Sequence, residues 1–398
     1  MRIAIFADNF YPELSGVADT VLVTGRELAR RGHQIEYFVP AYHEKDYRIA
    51  QVTKKEIPND PNIIVHRDWC FSYPTPTMQG KLYLPKPWRG FFNNTKFDII
   101  HSNSFFGPGL DALCFSRVKS IPLVGTNHTL IEAFLSYSPI NNAWVAKKIN
   151  EFIIWYFNKC KFVSTPSVFL LEEMRKKGLI SEGQFVTNPI ENSFFKPRIE
   201  KENLKNELGL NDFTILFVGR LSDEKNPEVL LWAFMNFAKK YPKTTLVFVG
   251  EGALRKKMET LVRESEVGNR IKFRGPYSGE TKQKLYDLFH ASDVFVMTSP
   301  SETQSMCTTQ AMAAGLPIIA ANAGSLPELV SSDRGLLFKF DDSNELSQKI
   351  EELYLKSELR QKLGLNAKNF AQKYSVENVA DEWEKIYNKV ISEHEKKS

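Results

Sequence analysis

Residues 214–218 read TILFV, an unbroken apolar run followed at once by Gly219 and Arg220 and then by a helix opening at Asn226-Pro227. A strand without polar alternation is one buried on both faces, which happens in parallel sheets covered by helices on each side. The chain begins the same way. Strand 2–6 leads into a loop with Tyr11, Pro12 and Gly16, then a helix expected over about 19–31 and a strand over 34–39. Strand, glycine loop and helix open an α/β domain, and here they occur twice. A chain of 398 residues has the length for two such domains.

Between them the chain restarts at a linker around Asn188-Pro189-Ile190 and a charged stretch, 198–205. The division expected is a first domain over 1–190, a second over 191–374, and a terminal helix over 375–398. In that helix Val379, Trp383, Ile386, Tyr387 and Val390 share one face, with Ser375 as N-cap.

The stretch 299–330, SPSETQSMCTTQAMAAGLPIIAANAGSLPELV, concentrates the chemistry. A Pro300-Ser301 turn delivers one acid, Glu302. A short polar link enters a helix expected over 306–314, which Gly315 stops before a buried strand. The backbone amides of Gln304, Ser305 and Met306 then face outward at a helix start, where N–H groups and the helix dipole favour a phosphate. Gln310 lies about one turn into that helix, on the side returning to the same point. Arg220 and Lys225, at the carboxyl end of strand 214–218, are two cations able to neutralise a diphosphate.

This pattern resembles the retaining glycosyltransferases of family 4, in which an acid, seven residues and a second acid hold a nucleotide-sugar donor. Gln310 stands at the second acid; an amide still bonds ribose hydroxyls as donor and acceptor, so altered ribose recognition is expected. Ser305 also departs from the more usual residue. The resemblance implies the GT-B fold, two Rossmann-like domains facing an inter-domain cleft, with no metal and no other cofactor. It matches Arg220 and Lys225 to the phosphate-binding pair and Glu302 to the group that orients the sugar. His128 falls beside the donor sugar and acceptor, Gly16 near the donor phosphates, and Arg274 in an exit loop bordering the base pocket. His101 matches another position, with Asn103 where a partner histidine is common. The triplet Glu302-Thr303-Gln304 is similar to that of diacylglycerol glucosyltransferases. The activity so implied is transfer of a hexose from a nucleoside diphosphate sugar, UDP-glucose first, to an acceptor such as a membrane lipid.

Two rivals stay open on the residues. One is a transferase acting on a polysaccharide or lipid-linked glycan with a GDP- or UDP-sugar. The other is a nucleotide-sugar-binding protein without turnover, prompted by Gln310 and Ser305. A dinucleotide reading of Gly250-Glu251-Gly252 is disfavoured, because the third glycine of the fingerprint falls at Arg255.

Composition excludes other classes. A net charge of +5 suits anionic nucleotides or an anionic membrane, whereas a nucleic-acid binder carries a denser basic cluster. Cys70, Cys114, Cys160 and Cys307 have neither metal-ligand nor paired spacing, and Asp341-Asp342 lacks a DxD form. The N-terminus enters a strand without a signal-peptide layout, so the expectation is a cytoplasmic protein with peripheral contact at the inner face of the membrane. Two stretches bear on that contact. Residues 69–97 alternate prolines with Trp69, Phe71, Tyr73, Tyr83, Trp88, Phe91 and Phe92 and with Lys81, Lys86, Arg89 and Lys96. They read either as a lipid-headgroup loop or as a folded loop with inward aromatics. A helix over 142–161 reads either as core or as a segment dipping into a membrane.

Overall fold

The computed structural model describes residues 1–52, 60–73, 79–85, 96–130 and 142–396, and the chain divides into two compact units. The first comprises Met1–Pro189 with Val376–Ser398, and the second Ile190–Ser375.

In the first unit the strands are β1 (Arg2–Phe6), β2 (Gln34–Pro40), β3 (Ile63–Asp68), a small antiparallel pair β4 (Phe71–Ser72) and β5 (Lys81–Leu82), then β6 (Ile99–Ser102), β7 (Leu123–Thr126), β8 (Phe162–Thr165) and β9 (Gly183–Phe185). Seven of them form one parallel sheet in the order β3-β2-β1-β6-β7-β8-β9. The order reverses between β1 and β6, so the loops leaving these two strands diverge there and leave a crevice. Helix Gly16–Arg30 and helix Val376–Glu395 cover one face through Val21, Leu28, Trp383 and Tyr387. Helices Pro108–Lys119, Ala143–Phe157 and Val168–Lys176 cover the other through Phe115, Tyr156, Phe157 and Met174.

The expected stripe on the terminal helix is buried residue for residue: Val379, Trp383, Ile386, Tyr387 and Val390. Each such side chain contributes about 1.5–3 kcal/mol before entropy is counted. Arg31 then pins the helix, reaching Asp381 at 2.5 Å and Glu384 at 2.7 Å while also holding Glu27 at 2.9 Å.

Three local expectations change. The first helix starts at Gly16, three residues early, because the Ser15 hydroxyl caps it by accepting from the Ala18 amide. Gly16 is therefore an exposed first-turn residue rather than a loop glycine. Within 69–97 neither reading holds whole. Tyr83 is buried, donating to Asp68 and Asp111, whereas Trp69, Phe71 and Tyr73 are exposed. Lys81 turns inward to a fully buried pair with Asp46 at 2.7 Å and is no headgroup cation; Lys86, Arg89, Trp88, Phe91 and Phe92 lie outside the described residues. The helix expected over 142–161 ends at Phe157. Its Ile153, Ile154, Tyr156 and Phe157 are core, while Trp144 and Trp155 face solvent.

The second unit carries β10 (Phe213–Val218), β11 (Thr244–Val249), β12 (Ile271–Arg274), β13 (Val294–Met297), β14 (Ile318–Ala321) and β15 (Gly335–Phe338). They form a parallel sheet ordered β12-β11-β10-β13-β14-β15, reversing between β10 and β13. Every residue of β10 and β13 is buried, which is why both read as unbroken apolar runs. Asp342 accepts from the Asn344 and Glu345 amides and so caps helix Ser343–Leu355. Among the described residues no helix is long and apolar enough to cross a membrane.

Candidate functional site

In the second unit the chemistry gathers at the sheet's reversal point. Gly219 and Arg220 leave β10, and 298–305 leave the adjacent β13, so residues far apart in sequence are joined by strand pairing. Lys225 Nζ lies 2.5 Å from Glu302 Oε1, and Arg220 Nη2 lies 2.9 Å from Glu224 Oε1. Cross-ties hold the two loops together: Thr298 Oγ1 donates to the Lys225 carbonyl at 2.6 Å and Ser299 Oγ to that of Glu224 at 3.1 Å. The Ser325 amide donates to the Glu302 carbonyl, fixing the acid from a third loop. Burial raises the Glu224 carboxyl pKa, against the pull of Lys225. An anion reaching this point meets two cations already set out by carboxylates.

Beyond Glu302, helix Met306–Ala313 begins as the spacing predicts. Ser305 sits at φ 60°, ψ 79°, and its hydroxyl bonds Thr308 Oγ1 at 2.8 Å rather than capping the helix backbone. Asn226, next to Lys225, is likewise left-handed at φ 46°. Two non-glycine residues in that conformation flank the Lys225–Glu302 pair, and strain of this kind gathers at binding sites. Gln304 and Ser305 are buried, and Gln310 lies partly exposed in the helix. Arg274 is not brought to this group. It ends the edge strand β12, two strands from β10, and donates to the Leu208 carbonyl at 2.6 Å. Gly250, of the glycine pair after β11, presses on the backbone of Gly219: a Cβ built on it falls 2.0 Å from the Gly219 oxygen.

In the first unit, β6 delivers Asn103 and the loop after β7 delivers His128. The two side chains meet, His128 Nε2 lying 3.0 Å from Asn103 Oδ1. The amide oxygen accepts, so the ring carries its proton on Nε2. Gly16 belongs to this unit, in the first turn of helix Gly16–Arg30. His101 differs from His128 in having both nitrogens in structural bonds, Nδ1 to Tyr387 Oη at 2.7 Å and Nε2 to Thr126 Oγ1 at 2.7 Å. It stacks on Trp383 and is a strut between sheet and terminal helix. Both histidines line one small cavity with Thr20, Thr24 and Trp383.

Burial lowers both imidazoles, His101 to about 3 with a smaller push from His128, and His128 to about 4. In the unfolded chain each takes a proton near pH 6.5, so the stability that the neutral rings contribute is complete above that pH and is lost as pH falls towards 4. His101→Gln should therefore flatten the fall of unfolding free energy across that window, by up to about 2 kcal/mol at pH 5. Urea titrations at several pH values measure it; a slope unchanged from the parent would refute a neutral buried His101.

The loop after β1 carries groups that sequence reasoning missed. Tyr42 Oη donates to Glu13 Oε2 at 2.8 Å and Asn9 Nδ2 to Glu13 Oε1 at 2.7 Å. Burial pushes the Glu13 carboxyl up to about 7 and also raises Asp8, which accepts from Ser104 Oγ. The signal was their place beyond the carboxyl end of the first strand, beside the reversal point of that sheet.

Comparison with known proteins follows the same division. A family model described as glycosyl transferases group 1 matches residues 198–370, and one described as glycosyltransferase family 4 matches 14–191. The chain is 30% identical over 371 residues to the putative glycosyltransferase EpsD of Bacillus subtilis, covering 89% of this chain and 94% of that one. It is 26% identical over 420 residues to the alpha-monoglucosyldiacylglycerol synthase of Acholeplasma laidlawii, covering 100% and 99%. Among solved structures, sucrose-phosphate synthase of Thermosynechococcus elongatus matches with a TM-score of 0.79 at 20% identity, covering 98% and 99%. Anabaena HepE in complex with UDP matches with a TM-score of 0.77 at 19% identity, covering 98% and 100%. At these identities the structures speak for the fold, which is GT-B.

Proposed function

Because the chain belongs to the group 1 and family 4 glycosyltransferases, we propose that it transfers a hexose from a nucleoside diphosphate sugar, UDP-glucose, to a hydroxyl of a membrane lipid such as diacylglycerol, with retention at the anomeric carbon. The observation that carries the reading is the Arg220–Glu224 and Lys225–Glu302 arrangement beside the strained start of helix Met306–Ala313. Unit two takes the donor. Its diphosphate lies against Arg220, Lys225 and the helix start at Ser305 and Met306, with the Gln304 side of the turn below it. The Gln310 amide meets the ribose diol, and Glu302 orients sugar hydroxyls. Arg274 contributes to the edge of the base pocket through its loop, and Gly16, without a side chain, leaves the start of the first helix open to close approach by a ligand.

As the glycosidic bond breaks, charge develops on the departing diphosphate, and fixed cations there stabilise the transition state more than the ground state. Unit one takes the acceptor. Its neutral His128, held by Asn103, positions the sugar and shapes the transition state, while a leaving phosphate oxygen accepts the acceptor's proton. The chemistry asks for no metal and no cofactor. Support for a lipid acceptor comes from the Acholeplasma laidlawii relative, a glucosyldiacylglycerol synthase by name, and support for the nucleotide from HepE, solved with UDP. The enzyme then works at the inner face of the membrane.

The test is transfer of label from UDP-glucose to diacylglycerol in mixed micelles, with the anomer of the product read by NMR. An α-linked glucolipid is expected. Transfer only to a glycan acceptor, or only from a GDP-sugar, would replace this substrate assignment, and donor binding without transfer or hydrolysis would make the chain a binding protein.

A further inference from the structure

Helix Ala143–Phe157 buries one face in the core of the first unit and turns aromatic rings outward on the other. Trp144 is 66% exposed and Trp155 44%. Phe152 stacks on Trp155 with centroids 5.6 Å apart, and Phe106, 42% exposed, meets Phe152 edge-on at 6.5 Å. Large apolar side chains are costly on a solvated helix face unless something covers them. Lysines frame the rings: Lys147 and Lys148 lie one turn beyond Trp144, and Lys159 and Lys161 follow the helix, against a single acid, Glu151, which Lys148 pairs at 2.6 Å.

The patch is also well placed. Phe106 sits three residues past Asn103, the partner of His128, in the loop leaving the carboxyl end of β6. The helix runs back from the carboxyl edge of the parallel sheet towards the amino end of β8, so Trp144 starts at the edge that holds His128. Tryptophan and lysine together match the two layers of a bilayer surface. The indole sits at the headgroup boundary and the ammonium reaches anionic phosphates.

We propose that the outward face of helix 143–157, with Phe106, docks the protein on an anionic lipid surface and brings the acceptor end of the first unit to the membrane. The proposal rests on the lipid-acceptor reading above and adds the surface that serves it. A second copy of the chain is the other candidate occupant, but that contact would place four lysines against four lysines.

The experiment floats the full chain with vesicles of phosphatidylcholine mixed with phosphatidylglycerol, at low and high salt, beside two multiple variants. One is Trp144→Ala with Trp155→Ala, and the other Lys147→Ala with Lys148→Ala and Lys159→Ala. The parent is expected to float, more weakly at high salt, and each variant to bind at least about tenfold less. The thermal shift produced by UDP should stay unchanged in both variants, which shows that they fold and hold the donor. No flotation of the parent, or variants floating as the parent does, overturns the proposal. So does loss of self-association on light scattering with flotation unchanged, which gives the face to a second copy. A short-chain diacylglycerol assay run in parallel separates the two claims. Transfer with undiminished variant flotation sinks the docking surface alone, and variant-sensitive flotation without transfer sinks the lipid acceptor alone.

Discussion

Arg220→Ala is expected to lower kcat by roughly 10²- to 10³-fold, the scale of removing one fixed donor from a developing oxyanion, about 2.7–4 kcal/mol. Arg220 leaves β10 at the sheet's reversal point and Glu224 holds its guanidinium at 2.9 Å, so the charge is set out before any donor arrives. Burial presses the Arg220 pKa down while nearby Glu302 supports it, and a guanidinium stays charged through such pressure. Truncation also removes the Arg220 charge from beside Glu224, whose carboxyl is already raised by burial and keeps Lys225 nearby. The fold should therefore survive, and the loss should appear in kcat more than in KM, as for a contact made chiefly in the transition state. Arg220→Lys retains the charge but not the two-pronged geometry and should fall between. Steady-state kinetics with the labelled donor decide the matter. A loss below about threefold, less than 1 kcal/mol, would remove Arg220 from the leaving-group site.

Gly250→Ala should cost about 2–4 kcal/mol of stability, at the high end for a change of one methyl group. Gly250 has φ +144°, outside the range of L side chains, and the new Cβ falls 2.0 Å from the Gly219 carbonyl oxygen. Backbone must move, and the backbone that moves carries Arg220. Gly32 supplies the control. It has φ +91° but nothing within 4 Å of a built Cβ, so Gly32→Ala should cost only the left-handed penalty, about 1–2 kcal/mol. Denaturant unfolding measures both. The same samples, titrated with UDP, should show weakened binding for Gly250→Ala and unchanged binding for Gly32→Ala. Equal stabilities for the two variants would mean that the strand-exit loops are not packed as described.

These two residues show how differently a sequence displays its parts. Arg220 was visible because a cation just past an unbroken apolar strand can stand in only a few places. Gly250 was visible only as part of an incomplete dinucleotide fingerprint. The role it holds, giving the neighbouring loop room, depends on β10 and β11 lying side by side. The strand Ile63–Asp68 has no clear sequence signal because IIVHRD mixes polar and apolar residues, as an edge strand at the rim of a sheet can. The early start of the first helix rests on the Ser15 hydroxyl accepting from the Ala18 amide, a cap that the neighbouring Gly16 hides in the sequence.

Local chemistry by itself determined the α/β class, the buried strands, the helix after Glu302 and the amphipathic stripe of the terminal helix. Those follow from propensity and periodicity over a few residues, and such forces act between near neighbours. Tertiary structure alone decided which charges meet. Lys225 and Glu302 are 77 residues apart, and His101 is told from His128 by a tyrosine 286 residues away. Lys81, read as a surface cation, is drawn into the interior by Asp46. Pairing, burial and pKa belong to the environment that distant segments build around a side chain, and no window of sequence contains that environment.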